Sequence, residues 1–414
     1  MLDDLVSGTP RAFFYVFFLG FIYYLLRQRL LLCLLFITLQ GLFYPHIVLI
    51  SVGILAINLI ANNKKRYFYL IGLIFAIVVL AFYKLQTSDF NQVIDLATAK
   101  KLPEFYSGGR NAFFFDNPWY FWLSAPRSGW FPREWQYVLL CSFGLFFPLL
   151  VRYPQKFPLV KKLNSKVEII GQILLASLGL FLLSHLLLFT LHLPARYSQH
   201  TWRIVIALVD GITVTILLHW LTNKITRYSR PLVPLITTLV IIALLYPSYA
   251  VQSYSYRLGY VTGEAVELYQ FLQQQPKDVL IATLSIEGDF IPSFAQRSVV
   301  VAEEYSIPYH LDYYQLIRQR TQDLIKAQYT SNQKQLNQFI KKYGVDLWLL
   351  DKNAFTTKYL QKNSWLRQFQ PETQQAIAFL KSTQQPLVAR KTQQCRIFQT
   401  AKLELLDTQC LINH

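Results

Sequence analysis

Apolar positions are distributed very unevenly along the chain. Up to about residue 249 they recur in runs of roughly 15–23, the length scale of a bilayer-spanning helix. Beyond residue 250 the runs shorten to strand length and alternate with helical-period stripes. The long runs predict about eight spans, at 12–26, 30–43, 46–61, 67–83, 135–151, 167–189, 203–222 and 232–246. The second and third flank the break Tyr44-Pro45-His46 and read as two crossings or as one re-entrant hairpin. The expected fold is therefore an α-helical polytopic membrane domain over 1–249, with an aromatic-rich external loop at 84–134. A soluble α/β domain follows over 250–414.

In the soluble part a helix is predicted near 260–275, then strands at 278–284 and 297–302. Helices at 312–328 and 331–343, a strand at 345–351 and a helix near 371–382 follow. Short strands near 386–389 and 394–398, with another near 403–406, close the chain. Strands alternating with helices predict a mostly parallel sheet. No GxGxxG, Walker A, HExxH or GxSxG pattern occurs, so no nucleotide or zinc-protease signature is present.

Charge refines this picture. The 414 residues carry a net +17, with only 15% charged and 53% hydrophobic residues. An ordinary soluble domain has about 25% charged residues. Residues 1–249 hold 22 basic and 9 acidic side chains, and 250–414 hold 18 and 14. With eight crossings, 13 cations and no acid fall on one side: Arg27 and Arg29, Lys64 to Arg66, Arg152 to Lys166, and Lys224 to Arg230. This positive-inside asymmetry puts both the N-terminus and the C-terminal domain outside, on the periplasmic side of a plasma membrane. It also accounts for most of the positive charge, so nucleic acid is not the expected partner; the lipid bilayer is. No cleavable signal peptide is expected, because residues 1–11 have no basic leader region.

Candidate chemistry lies in two external segments. The loop reads GGRNAFFFDNPWYFWLSAPRSGWFPREW, with four of the chain's eight Trp within seventeen residues. It suits an aromatic belt at the interface or a lid over a lipid-linked substrate, with Arg110, Asp116 and Arg127 as polar contacts. The segment TLHLPARYSQHTWR brings together His192, Arg196, Tyr197, His200 and Arg203. Guanidinium groups grip phosphate oxygens bidentately, and the alternative is headgroup snorkelling. If the helix starts by about residue 199, His200 and Arg203 share a face near its positive end. Asp210, His185 and His219 lie within spans; Asp210 is a candidate proton site or ion-pair partner. Glu303 and Glu304 read as loop or cap groups. Cys33 and Cys141 lie in spans, and Cys395 and Cys410 are expected to form a disulfide in an oxidising compartment.

The segments GTPRAFFYVFFLGFIYYLL, QGLFYPHIVLISVGIL, LPARYSQHTWRIVIAL, IPSFAQRSVVVAEEYSIPYH and YGVDLWLLDKNAF, in this order, resemble GT-C-type integral-membrane glycosyltransferases. The resemblance implies sugar transfer from a polyprenyl-phosphate donor to a cell-envelope acceptor on the external face. It implies an inverting displacement with a carboxylate base, and cations or a divalent metal on the donor phosphate; the residues themselves announce no cofactor. In such enzymes the catalytic acid follows the first span in an external loop. Here the first span runs inward after Asp3 and Asp4, so that loop is missing and Asp116 is the remaining candidate base. A truncated relative, or a partner subunit supplying the N-terminal part, is expected on this ground. The alternatives are an inactive GT-C-like scaffold or accessory subunit of envelope polysaccharide assembly and, less well matched, a transporter, since no inverted repeat is visible.

Overall fold

A computed structural model describes residues 9–61, 65–85, 92–132, 142–163, 165–226, 232, 234–235, 237–242, 263–382 and 384–413. The chain is mostly helical and divides into two compact units. One comprises residues 1–88 and 116–260, the other 89–115 and 261–414. The external loop of the sequence reading is thus divided between them, and its first part belongs with the C-terminal unit.

In the first unit, α1 (Phe14–Arg27), α2 (Leu30–Phe43), α3 (His46–Ala61) and α4 (Arg66–Leu85) precede the short α5 (Phe147–Arg152), then α6 (Glu168–Leu186) and α7 (Ala195–Thr226). Among the described residues three helices are long and apolar enough to cross a bilayer: Arg66–Leu85, Glu168–Leu186 and Ala195–Lys224. The expectation of about eight such spans is corrected accordingly. α2 and α3 have 14 and 16 residues. At about 1.5 Å per residue neither alone covers a hydrocarbon core of about 30 Å. Pro45 separates them and prevents one continuous helix. The expected span at 135–151 contributes only the 3₁₀ turn Phe143–Phe146 and α5, its first residues lying outside the described ones. Most of 232–246 also lies outside them.

The interior of this unit is made by Phe14, Phe18 and Phe21 of α1, Ile37 of α2, Ile47 and Ile54 of α3, and Ile173 of α6, all fully buried. α3 and α6 approach closely at a glycine: a Cβ on Gly53 would lie 2.9 Å from Cβ of Ala176. One buried polar bridge ties three helices. Gln40 donates to the Phe17 carbonyl (3.2 Å) and accepts from the Ser51 hydroxyl (2.8 Å). Satisfying each polar atom in this way removes the cost of burying it.

The second unit holds a five-stranded sheet of order β2-β1-β3-β5-β4. Its strands are β1 (Leu280–Thr283), β2 (Ser298–Val299), β3 (Leu347–Asp351), β4 (Arg396–Gln399) and β5 (Leu403–Asp407). β1 runs parallel to β2 and β3, whereas β5 runs antiparallel to β3 and β4. The sheet is therefore mixed, not mostly parallel. Only three residues, 400–402, join β4 to β5, and so short a connection permits only an antiparallel pair. Alternate side chains enter opposite layers: Trp348 and Leu350 go to one core, Leu347 and Leu349 to the other.

Helices cover both faces: α8 (Val266–Gln273), α9 (Leu311–Gln328), α10 (Gln333–Tyr343), α11 (Thr357–Lys362), α12 (Glu372–Lys381), α13 (Leu387–Cys395) and α14 (Thr408–Asn413). α10 shows why local sequence suffices for some of them. The Asn332 side chain caps its first turn through the Lys334 amide (2.9 Å), and Gly344 ends it at φ +65°. α13 corrects the strand expected at 386–389. Leu387, Val388, Lys391, Thr392 and Cys395 are its buried positions, a helical spacing that the short apolar start concealed. Cys395 and Cys410 form a disulfide with Cα atoms 5.4 Å apart, joining α13 to α14.

Residues 92–115 run along this unit as a strap. Val93 pairs with His310 in an isolated antiparallel bridge, and Phe105 and Phe113 are buried. Glu104 is almost wholly buried, and its Oε1 accepts from the Tyr314 hydroxyl and the Arg318 guanidinium.

Candidate functional site

The residues singled out at 192–203 lie at the start of α7. Pro194 fixes the chain ahead of the first turn. The first three amides of the helix are taken: Ala195 donates to the Arg127 carbonyl (3.1 Å), Arg196 to Leu193 (3.0 Å) and Tyr197 to Pro194 (3.1 Å). The helix starts at Ala195, four residues before the expected point. Arg196, His200 and Arg203 therefore stand at i, i+4 and i+7, one stripe of the helix. Because the terminal amides are occupied, an anion here would be held by side chains; the helix end contributes its field alone.

The stripe divides into supporting and available groups. Tyr197 is fully buried and donates to the Leu191 carbonyl at 2.6 Å. His200 is buried, stacks on Phe14 with centroids 4.6 Å apart, and lies 3.2 Å from the Tyr15 hydroxyl through Nδ1. Arg203 donates to the same hydroxyl at 3.2 Å. His200 and Arg203 fasten α7 to α1, and Tyr197 ties the helix to the segment before it. Arg196 differs: it is half-buried, and among the described residues its guanidinium has neither a hydrogen-bond acceptor nor a carboxylate partner.

His46, at the start of α3, completes the neighbourhood. Its ring lies 4.7 Å from that of His192 and 6.3 Å from that of Tyr197, and it is within electrostatic reach of Arg196. Its Nδ1 is buried with no hydrogen-bond partner. Sequence reasoning treated His46 only as part of a helix break. The available signal was that this break and the 190–202 segment fall on the same side of the predicted topology.

The aromatic loop is divided. Trp122 stacks on His185 at 4.5 Å, and Trp130 packs edge-on against Phe181 and Trp202. These contacts seat 117–131 on α6 and α7. Arg127 is thereby brought to the start of α7 and is half-buried there. Asp116 is exposed. Arg110 belongs to the second unit and pairs with Glu304 at 2.6 Å. Trp135 and Cys141 lie outside the described residues, as do Asp3, Asp4, Lys64, Arg227 and Arg230.

Asp210 is engaged elsewhere. Its Oδ1 accepts from the Ser142 hydroxyl (2.8 Å) and the Gly144 amide (2.6 Å), which fastens the 3₁₀ turn Phe143–Phe146 to α7. The described carboxylates of the first unit are Asp116, Glu168 and Asp210. A divalent metal, implied by the resemblance, has no donor set: among the described residues no group of three or more His, Cys, Asp or Glu is placed to hold one.

The chain matches no family model and no curated protein. A half-buried guanidinium without an acceptor, beside a buried imidazole nitrogen without a partner, is suited to hold an anion.

Proposed function

We propose that this chain binds a polyprenyl-phosphate-linked sugar at the external face of a membrane and acts as a GT-C-like glycosyltransferase towards a cell-envelope acceptor. The observation that carries the binding part is Arg196, whose guanidinium has no acceptor among the described residues, next to the unpartnered Nδ1 of His46. Arg127 at the same helix start adds a second cation. A phosphate monoester or diester supplies acceptor oxygens for the Arg196 guanidinium and a partner for the His46 ring nitrogen, and a polyprenyl tail accounts for placing them in an apolar helical unit. Tyr197, His200 and Arg203 act as supports that hold α7 in place. In this reading the cations of the segments 27–29, 64–66, 152–166 and 224–230, with no acid among them, face inward and the C-terminal unit faces outward. The disulfide supports an oxidising compartment for that unit. Cysteine labelling tests the orientation; modification of a cysteine at position 64 from outside would overturn it.

A catalytically inactive scaffold with the same lipid site is favoured by one observation. Asp210 is spent on Ser142 and Gly144, and Asp116 is exposed with no shown link to Arg196. Transfer needs a positioned base, worth about 10²–10⁴-fold.

The test is binding of a short-chain polyprenyl phosphate to the full chain in uncharged detergent. Arg196→Lys keeps the charge but loses the planar fork. Losing about 1–1.5 kcal/mol of charge-assisted hydrogen bonding weakens binding about tenfold. Equal affinity of wild type, Arg196→Lys and Arg196→Ala would reduce the cluster to a membrane anchor. Sugar turnover at about 1–10³ per second would separate the transferase from the scaffold.

A further inference from the structure

The second unit contains a cavity of about 1210 Å³ that the lipid-phosphate reading does not use. It lies outside the carboxyl ends of β1 and β3. β1 connects to β2 on one side, while β3 lies on its other side, so the chain leaves the two neighbouring strands in opposite directions. Open α/β sheets take their ligands at such a crevice. The loop after β1 contributes Glu287 and Asp289, β3 ends in Asp351, and the segment after β2 contributes Glu303. Ser285, in the loop after β1, ties that loop to β3 by donating to Asp351 Oδ1 at 2.8 Å.

A further wall comes from the strap, at Gly108-Gly109-Arg110. Gly109 is required there: a Cβ would sit 2.4 Å from the Glu104 carbonyl oxygen. The tight turn carries Arg110 to the rim, where it pairs with Glu304. The cavity is thus assembled from two segments far apart in sequence, which marks it as a built feature of the unit.

Its charge is opposite to that of the whole chain. Seven carboxylates line it against two cations, although the protein carries a net +17. Arg110 and Lys402 are each paired, with Glu304 and Glu264. Glu287 is held by Tyr269, and Asp351 by Ser285 and Tyr359. That leaves the exposed Glu267 and the half-buried Asp289 and Glu303; Asp289 accepts from the Glu304 amide at 2.8 Å, and its charge acts on Glu303. Burial raises the pKa of both; for Asp289 the amide of Glu304 partly offsets this, and Arg110 does so for both. Between these groups the lining is hydrocarbon: Ala265, Val266, Ile286 and Phe290. Among the described residues no group of three or more His, Cys, Asp or Glu is placed to hold a metal ion here. Spaced carboxylates around an apolar floor instead match amines spaced along a hydrocarbon chain.

We propose that this cavity binds an organic cation carrying two or more amines on an aliphatic backbone. Asp289, Glu303 and Glu287 accept the N–H groups, and Val266, Ile286 and Phe290 cover the methylenes. The proposal is independent of the lipid-phosphate reading, since no residue is shared.

The test is calorimetric titration of the full chain, in uncharged detergent, with spermidine as probe and with maltose as a neutral polyhydroxy control. The overall positive charge disfavours non-specific uptake of spermidine, so saturable binding reports a local site. The double variant Asp289→Asn, Glu303→Gln keeps shape and loses both charges; its melting curve shows whether it is folded. Spermidine is expected to saturate the wild type at pH 7 and to bind at least tenfold more weakly to the double variant. It is also expected to bind progressively more weakly as the pH falls from 7 through the carboxylate range, because burial favours the neutral form of both groups. Arg196→Ala should leave spermidine binding unchanged and impair only the lipid probe. No saturable spermidine binding, equal binding by a folded double variant, or maltose binding that the double variant abolishes would each overturn the proposal.

Discussion

Replacing Glu104 tests whether residues 89–115 are part of the C-terminal unit. Its side chain is 1% exposed and meets Arg318, itself 21% exposed, and the Tyr314 hydroxyl. Glu104→Ala leaves a guanidinium and a phenol without their main acceptor. Breaking a buried pair from one side costs about 3–5 kcal/mol. Arg318 keeps a weak contact to the Gln368 carbonyl at 3.4 Å and some access to water, so the low end, about 3 kcal/mol, is expected. Glu104→Gln retains an acceptor oxygen and removes only the charge, which makes about 1–2 kcal/mol the expected loss. For a unit of this size each kcal/mol lowers the melting temperature by about 2–4 °C. The assay is thermal unfolding of the full chain in detergent, together with amide hydrogen exchange over 92–115. Alanine should lower the second unit's transition by roughly 6–12 °C and speed exchange along the strap. Arg318→Met should be non-additive with Glu104→Gln. If both Glu104 variants stayed within about 0.5 kcal/mol of wild type and exchange were unchanged, the strap would not be docked as described.

Two other outcomes follow from the same unit. Replacing Cys395 and Cys410 by Ser opens a 15-residue loop, which should cost about 3 kcal/mol and remove the melting shift that a reductant causes in wild type. Asp289→Asn and Glu303→Gln should each raise the melting temperature at pH 7. The sign follows from their folded pKa values lying above the unfolded ones: the penalty is present when both states are ionised and vanishes below the ordinary carboxylate range, about pH 4. The variants' advantage should therefore shrink as pH falls from 7 to about 4, and an advantage independent of pH would contradict the assigned cause.

What was legible in the sequence is what local pattern controls. The stripe at 312–328 became α9, Asn332 and Gly344 bound α10, and the apolar run LWLL became the central strand. Periodicity misled where an element was short. Leu387-Val388 suggests a strand, but the buried set continues through Lys391, Thr392 and Cys395 on one helical face. The direction of β5 depended on a three-residue connection that pattern alone does not weigh. Long apolar runs overcounted spanning helices, because the runs at 30–43 and 46–61 form helices of 14 and 16 residues, each too short alone for the hydrocarbon core. At the candidate site the cations at 192–203 were visible as a cluster, but their division of labour was not. Tyr15 and Phe14, some 185 residues away, claim His200, and Arg203 shares Tyr15. Arg196 is set apart because no acceptor among the described residues reaches it, a property only packing reveals. Asp210 illustrates the converse: an intramembrane acid suggests function, and here Ser142 and Gly144 give it a structural task.

The lipid-linked phosphate is proposed to sit at the start of α7. Photo-crosslinking with a polyprenyl phosphate bearing a diazirine next to its phosphate tests it most directly. Peptide mapping of the full chain in bilayer nanodiscs should place adducts on residues 44–48, 126–129 and 192–197, competed by unlabelled polyprenyl phosphate and reduced in Arg196→Ala. Adducts spread over the exposed faces of the helices, with none enriched in those three segments and no effect of Arg196→Ala, would contradict it.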